Sequence, residues 1–379
     1  MATQAQDDPR ALGDYFAQGH ERALALGNRG PLRFGPDGAP DPAILESFAQ
    51  HGFHVLEGVI APGELAGLEA DYCAILERAP VTPAAATDAQ GRPALGLGLA
   101  IPAWNWSKPL SDPSGGTGQL NGRHPVKMFE PTPDAWLPEQ TVQTILGPLQ
   151  HSDAFLRLYG HPGLLRLAAA INGEDFVPFQ EGIIVKRVGE GKSFAWHQDG
   201  ITHWGTPQFT PVSHGINIMV QLYGSTAANG VWFLPGSQHA LADIAALAER
   251  AGGNCLEGAA PLVCRPGDVA IANRQVLHGS FANTSADPRV TFSMGFQPRR
   301  SVLGVTGYVW DPEHPSQYDE AYVARRSEMI GYAIDARSRH FPDEQPYAYR
   351  PHADAGLHLR WNESARAAIR DYNRFDIRI

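Results

Sequence analysis

Residues 176–298 contain six short stretches that are apolar or alternate between apolar and polar residues. They read FVPFQEGIIVKRV (176–188), FAWHQDG (194–200), HGINIMVQLYG (214–224), GVWFLPGSQ (230–238), APLVCRPGDVAIANRQVLHGSF (260–281) and RVTFSMGFQ (289–297). Turn-forming clusters such as VGEGKS, GSTAANG, RPGD and NTSADP separate these runs. One helical stretch, ALADIAALAERAGG (240–253), interrupts the series and ends at glycines. Many short strands at close spacing predict a sandwich or barrel rather than a βαβ fold.

Two helices and a strand are predicted before this region. Asp41 followed by Pro42 is a typical helix start, and Gly52 ends that helix before a short strand at residues 53–56. A second amphipathic helix follows, because apolar residues recur at helical spacing at Leu65, Leu68, Tyr72, Ile75 and Leu76. We expect both helices to pack on the outside of a sheet.

The remaining segments are less regular. Residues 80–133 are rich in Pro, Gly, Ser and Thr and show no period, so we expect either a lid over a pocket or a packed decoration. Helices are predicted near residues 316–330 and 362–372. We predict a single catalytic domain over 1–379, made of N-terminal helices and a strand (1–79), a loop-rich insertion or lid with helices (80–175), the β core (176–298) and a C-terminal extension (299–379).

Composition and charge narrow the range of partners. The chain has 379 residues, with 30 Lys and Arg against 40 Asp and Glu, and the resulting net charge of −10 repels nucleic acid. Cys73, Cys255 and Cys264 are too few for a disulfide framework and form no CxxC pair for zinc. The start, MATQAQDDPR, has no apolar secretory segment, and no apolar run is long enough to span a membrane. We therefore expect a cytoplasmic protein with no nucleic-acid or membrane partner.

Three side chains are candidate metal ligands. In a strand, residues i and i+2 point to one face, so His197 and Asp199 in WHQDG can offer an imidazole and a carboxylate to one ion. His278, in a later strand-like segment, is the natural third ligand. Two His and one carboxylate with open positions are typical of non-haem Fe(II) oxygenases, whereas zinc more often recruits thiolates or a third His.

A basic residue is predicted beside these ligands. NTSADP (283–288) lies between two strand-like runs and predicts a hairpin. Symmetric pairing about this turn places His278 directly opposite Arg289, with Ser280 on the same face. Such a cavity suits a dicarboxylate, since one end chelates the metal while the far carboxylate takes a charge-assisted hydrogen bond from Arg289.

Taken together, the motifs resemble those of the phytanoyl-CoA dioxygenase family of Fe(II)/2-oxoglutarate-dependent oxygenases. The matching stretches follow the same order along the chain and are FAQHGFHVLEGVIAPGEL (48–65), WHQDG (196–200), Asn229–His239 and Pro266–Arg289. The resemblance implies a mainly β fold with flanking helices (α+β) built on a double-stranded β-helix, or jelly-roll, core. It also implies that His197, Asp199 and His278 bind Fe(II).

The same resemblance implies a cosubstrate site. Arg289 and Ser280 are expected to hold the C5 carboxylate of 2-oxoglutarate, and Met219 falls where the family has a residue that packs on this cosubstrate. Lys127 is the candidate for the additional basic residue that the family places before the HxD strand.

The function implied is a dioxygenase that uses O2 and 2-oxoglutarate to hydroxylate an unactivated C–H bond, releasing succinate and CO2. Related halogenases replace the carboxylate ligand by a small residue, and since Asp199 is present, hydroxylation is expected. A small organic substrate, either an amino acid derivative or a natural-product intermediate, is favoured. The alternatives are the same chemistry on a fatty acyl-CoA and a non-catalytic β-barrel that acts as a binding or scaffold protein. A cupin-type isomerase or a zinc hydrolase is disfavoured, because the sequence lacks the additional His ligands that such sites usually have.

Overall fold

The structure is a computed structural model that describes residues 9–207, 209–212, 214–307 and 316–377. The α-helices are α1 Pro9–Ala25, α2 Pro42–His51, α3 Pro62–Leu76, α4 Asp153–Tyr159, α5 Pro162–Asn172, α6 Ile201–Trp204, α7 Ile244–Ala251, α8 Glu320–His340, α9 Arg350–Asp354 and α10 Glu363–Ala368. The strands are β1 Arg29–Pro31, β2 Phe53–Glu57, β3 Trp104–Ser107, β4 Thr141–Leu146, β5 Val177–Lys186, β6 Phe194–His197, β7 Ile216–Gln221, β8 Trp232–Phe233, β9 Ala260–Pro261, β10 Val269–Asn273, β11 His278–Ser280, β12 Arg289–Gln297, β13 Thr306–Gly307 and β14 Ser316–Gln317. The beginning of the chain inspected for a secretory segment (1–8) and part of the predicted C-terminal extension (308–315) lie outside the described residues.

Two sheets face each other across a cavity. The larger has the strand order β1-β2-β10-β7-β12-β5-β4-β3, and the smaller has the order β6-β11-β8-β9. Side chains from both sheets line the cavity, and α2 and α5 contact strands of the larger sheet. Covered on both sides, the central strands are buried along nearly their whole length, which explains their almost continuous apolar sequences. The predicted α+β fold with a jelly-roll-like core is confirmed.

The N-terminal helix signals are also confirmed. The Asp41 side chain accepts a hydrogen bond from the Ala43 amide, and Pro42 begins α2. Gly52 ends the helix with φ of 80°, a left-handed conformation that glycine adopts without steric cost. The strand after it, β2, joins the larger sheet between β1 and β10. In this way the N-terminal segment becomes part of the β core rather than a separate layer.

Residues 80–175 contribute strands that the sequence analysis did not predict. β3 and β4 pair with each other, and β4 pairs with β5, so the larger sheet extends into this segment. β3 has only four residues and contains a register shift after Asn105, so it is too short for a period to be visible in the sequence. The rest of residues 80–133 is irregular, as expected from its Pro and Gly content.

The predicted hairpin between His278 and Arg289 is wrong. β11 pairs with β6 and β8 in the smaller sheet, whereas β12 pairs with β5 and β7 in the larger one. The turn at residues 283–288 crosses between the sheets, because the Asn283 backbone bonds to Gly189 and Gly191 instead of to β12. His278 and Arg289 are therefore not cross-strand neighbours, although both reach the same cavity.

Among the described helices, none combines the length and the apolar character needed to cross a membrane. In the C-terminal region, α8 begins within the predicted 316–330 segment and continues to His340, and α10 falls within the predicted 362–372 segment.

Buried histidines make the fold sensitive to acid. His54 on β2 is 4% exposed, and burial, followed by the nearby Arg29, lowers its pKa to about 4. Since an unfolded chain binds this proton below a pKa of about 6.5, stability is expected to decrease as the pH falls from 6.5 to 4, by at most about 3 kcal/mol for this residue. Urea unfolding of wild type and His54→Gln at pH 7 and pH 4.5 measures the difference. The exposed His358→Gln is the control, and an equal pH dependence in wild type and His54→Gln would contradict this assignment.

Candidate metal centre

The three candidate ligands lie together at one end of the cavity. His197 ends β6, and antiparallel pairing with β11 places His278 directly opposite it, with ring centroids 4.1 Å apart. Asp199 follows two residues after His197, and its amide donates to the Arg274 carbonyl at 2.9 Å. One ligand atom of each residue lies within 4.8 Å of the other two. A cross-strand pair and a strand end thus produce a three-residue cluster.

Hydrogen bonds fix the orientation of both imidazoles. The Nδ1 atom of His197 lies 2.7 Å from the Ala195 carbonyl, and the Nδ1 atom of His278 lies 2.9 Å from the Val276 carbonyl. A carbonyl accepts only, so each Nδ1 carries the hydrogen and each Nε2 keeps its lone pair. Burial is the main cause that lowers the pKa of both rings, which keeps them neutral. Both residues are therefore prepared to donate Nε2 to a metal.

Asp199 is held as an anion. Burial by itself raises the pKa of this carboxyl group, but the Arg123 and Arg274 guanidinium groups outweigh burial and lower the pKa below its ordinary value. One Nη of Arg123 lies 2.9 Å from Oδ1, and Nε of Arg274 lies 3.7 Å from Oδ2. Two neutral imidazoles and one carboxylate form the donor set that suits Fe(II). The residues present therefore fit the metal.

The cavity beside this cluster has a volume of about 160 Å³. Its walls include three of the residues predicted to bind the cosubstrate, Met219 on β7, Ser280 on β11 and Arg289 on β12. The other lining residues are mostly apolar, with Asn217, Asn273 and Ser293 as further polar groups.

Arg289 is a buried cation without a carboxylate partner among the described residues. Its side chain is 1% exposed, and one Nη donates to the Asn229 carbonyl at 3.1 Å. Its Nε has no hydrogen-bond partner, and no carboxylate within the described part of the chain forms an ion pair with it. Burying a charge without a partner is costly, so the geometry suits an anionic group bound in the cavity. A carboxylate of 2-oxoglutarate is such a group.

The structure does not bring Lys127 to this cavity. Its side chain is largely exposed, and its ammonium group pairs with Glu130 at 3.1 Å. The basic residue found instead near Ser280 is Lys186, which is fully buried at the end of β5. In the sequence Lys186 lies at the end of an apolar strand, just before the VGEGKS turn, and no motif sets it apart from an ordinary residue at a strand end.

Arg123 and His124 were also missed by the sequence analysis. Both come from the long irregular segment, and the His124 ring lies 4.3 Å from the His197 ring, centroid to centroid. With Arg123 on Asp199, this segment covers one side of the metal centre. No signal in the sequence marks these residues. Their partners, His197 and Asp199, lie more than 70 residues further along the chain, and a local pattern does not indicate contacts over that separation.

Arg123 is expected to support metal binding by holding Asp199. Loss of an outer partner of a metal ligand typically lowers metal affinity about 10–100-fold, and since Arg274 remains, we expect about tenfold for Arg123→Ala. Anaerobic titration with Fe(II) measures the change, with Arg92→Ala in the same segment as the control, because Arg92 pairs with Asp88 instead. An unchanged affinity would contradict this role, and an increased affinity would show that the Arg123 charge repels the metal.

Comparisons with known proteins agree with this geometry. The family model described as phytanoyl-CoA dioxygenase (PhyH) matches residues 48–291, more than half of the chain. No curated protein sequence gives a significant match.

Solved structures with a similar fold include the following three proteins. EctD from S. alaskensis, crystallised with 2-oxoglutarate and 5-hydroxyectoine, is 20% identical with a TM-score of 0.49, covering 73% of this chain and 82% of its own. AviO1 from Streptomyces viridochromogenes Tue57 is 21% identical with a TM-score of 0.46, covering 68% and 95%. The epimerase SnoN from nogalamycin biosynthesis is 18% identical with a TM-score of 0.43, covering 68% and 82%.

Because these TM-scores lie below 0.5, the assignment depends on the family match and the site. The match spans β2 to the start of β12 and contains all of the residues that line the cavity except Ser293. The chain belongs to the phytanoyl-CoA dioxygenase family and is an oxygenase that uses Fe(II), 2-oxoglutarate and O2.

Proposed function

We propose that this protein hydroxylates an unactivated C–H bond of a small organic molecule and releases succinate and CO2. The observation that carries the proposal is the convergence of two neutral imidazoles, one carboxylate and the unpaired Arg289 cation on a single cavity. Asp199 supports hydroxylation in particular, since the carboxylate ligand is present rather than replaced by a small residue.

In this proposal His197, Asp199 and His278 hold the metal on one face and leave its other positions open. Bound Fe(II) with 2-oxoglutarate supplies oxidative decarboxylation and O2 activation, so that one oxygen atom enters succinate and the other enters the product. Arg289 and Ser280 bind the far carboxylate of the cosubstrate, and Met219 packs against its carbon chain. The apolar walls exclude water from the reacting centre.

We propose an amino acid derivative or a natural-product intermediate as the substrate. The cavity is lined mostly by apolar side chains, which suits a small organic molecule better than a large polyanion. An acyl-CoA would bring several phosphates, which call for basic residues. Of the described residues that line the cavity, however, only Arg289 is a permanent cation, and the cosubstrate takes it.

The experiment has two stages. The purified protein is first mixed anaerobically with Fe(II) and 2-oxoglutarate, and a visible charge-transfer band is expected. The complex is then exposed to O2 with candidate amino acid derivatives and natural-product intermediates, while succinate release and the product mass are followed. A stimulating compound that gains one oxygen atom supports hydroxylation. Absence of the band contradicts the proposed ligand set, and a product without added oxygen contradicts hydroxylation.

A further inference from the structure

Lys186 occupies a buried position that the proposed reaction does not yet use. It is the last residue of β5, it is 0% exposed, and the β5–β12 pairing places it directly opposite Arg289. Its Nζ donates to the Ser280 hydroxyl at 3.0 Å and also to the Phe281 carbonyl. Lys186 therefore contacts a serine that lines the same cavity as Arg289.

Lys186 and Arg289 are both buried without a counter-ion in the described part of the chain. Across the described residues, no carboxylate forms an ion pair with Lys186 or with Arg289. Burial, followed by the positive charges of Arg289 and Lys192, lowers the pKa of Lys186 well below its ordinary value. A bound anion is the partner that would relieve the unfavourable electrostatics of this arrangement.

The hydrogen bonds from Lys186 determine what Ser280 can do. A bound anion favours the ammonium form of Lys186, and an ammonium group has donors only. The Ser280 oxygen therefore accepts from Lys186, and its single hydrogen is left to donate elsewhere. Because Ser280 lines the cavity with Arg289, that hydrogen is available to a carboxylate held there.

The surrounding chain is built closely around this lysine. A Cβ at Gly191 would lie 2.6 Å from the Cβ of Lys186, so glycine is needed for the turn after β5 to pass over it. The side-chain amide of Asn283 donates to the Lys186 carbonyl at 2.9 Å. These contacts fix the backbone from which the side chain reaches Ser280.

We propose that Lys186 is a positioning residue for 2-oxoglutarate, which makes Ser280 a hydrogen-bond donor to the far carboxylate of the cosubstrate. The inference rests on the proposed function. Lys186 thus replaces Lys127 as the additional basic residue of the cosubstrate site, but Lys186 acts through Ser280 rather than by direct contact with 2-oxoglutarate.

The test is anaerobic titration of the Fe(II) complex with 2-oxoglutarate, followed by the charge-transfer band, in the full-length chain. We expect Lys186→Met to weaken 2-oxoglutarate binding about tenfold, as for loss of a hydrogen bond to a charged group. Ser280→Ala should cause a similar loss, and the double variant should lose little more, because both changes remove the same interaction. Lys127→Met is the control, since the Lys127 side chain is largely exposed and pairs with Glu130 outside the cavity.

A second ligand separates positioning from general damage. 2-Oxopentanoate has a methyl group in place of the far carboxylate, so its affinity should be the same in wild type and Lys186→Met. If Lys186→Met does not fold, Lys186→Gln is titrated instead. Its shorter side chain cannot reach both acceptors, and at least a threefold loss is expected for 2-oxoglutarate alone.

Three results would overturn the inference: 2-oxoglutarate affinity within twofold of wild type, equal losses for both ligands, or losses that multiply in the double variant. Absence of the band in wild type would instead contradict the proposed function itself.

Discussion

Replacing His278 by alanine is expected to abolish stable iron binding and turnover. The variant keeps only His197 and Asp199 of the cluster, so the site loses one of its two imidazole ligands. Loss of outer partners alone can weaken metal binding about 100-fold, so loss of a direct ligand should exceed this value. The measurements are the iron content after anaerobic reconstitution and the charge-transfer band with 2-oxoglutarate.

Two controls make the His278 result specific. His358→Ala removes an exposed histidine outside the site and should retain iron. Added imidazole should partly restore the band in His278→Ala, because the substitution leaves a space beside Phe233 in the cavity. If His278→Ala binds as much iron as the wild type, the metal uses ligands other than the proposed three.

Replacing Arg326 by methionine is expected to cause the largest loss of stability. Arg326 on α8 is 1% exposed and bonds to Glu181 on β5, to Asp376 at 2.9 Å and to the Phe179 carbonyl at 3.1 Å. Tyr372 also donates to Glu181. Removing one partner of a buried ion pair typically costs about 3–5 kcal/mol, because the other charge stays buried without compensation. Here two carboxylates would be left, so we expect a loss in this range.

Urea unfolding of wild type, Arg326→Met and Arg350→Met measures this difference. Arg350 is the matched control, since its ion pair with Asp354 is exposed, with side-chain exposures of 63% and 69%, and such pairs contribute less than about 1 kcal/mol. Folded Arg326→Met should still bind Fe(II), because Arg326, Glu181, Asp376 and Tyr372 do not line the cavity. Equal losses for the two arginine variants would show that the buried cluster does not anchor the C-terminal region.

The strands of the core were predictable because their signals are local. Each of the six runs between residues 176 and 298 contains at least one observed strand, and the glycine-rich and proline-rich clusters between them form the turns. The helix at Ile244–Ala251 ends at Gly252 for the same reason. Turn chemistry and side-chain alternation act over a few residues, so they are legible in the sequence alone.

The partners of these strands were not predictable in the same way. Symmetry about residues 283–288 suggested a hairpin, but the chain crosses there from the smaller sheet to the larger one. The choice depends on Asn283, whose backbone and side chain bond to the turn after β5, nearly a hundred residues earlier. Local pattern cannot reveal such a long-range competitor.

The secondary structure of the core, the HxD pair and the third histidine were predictable from the amino-acid sequence, because each depends on neighbouring residues or on motifs that follow one another in a fixed order. Tertiary structure alone decided which groups surround them: Arg123 and His124 from an aperiodic segment, Lys186 beside Ser280, and Arg326 joining α8 to β5. Burial and charge pairing arise only when segments that are distant along the chain pack together, and local sequence patterns do not indicate which segments these are.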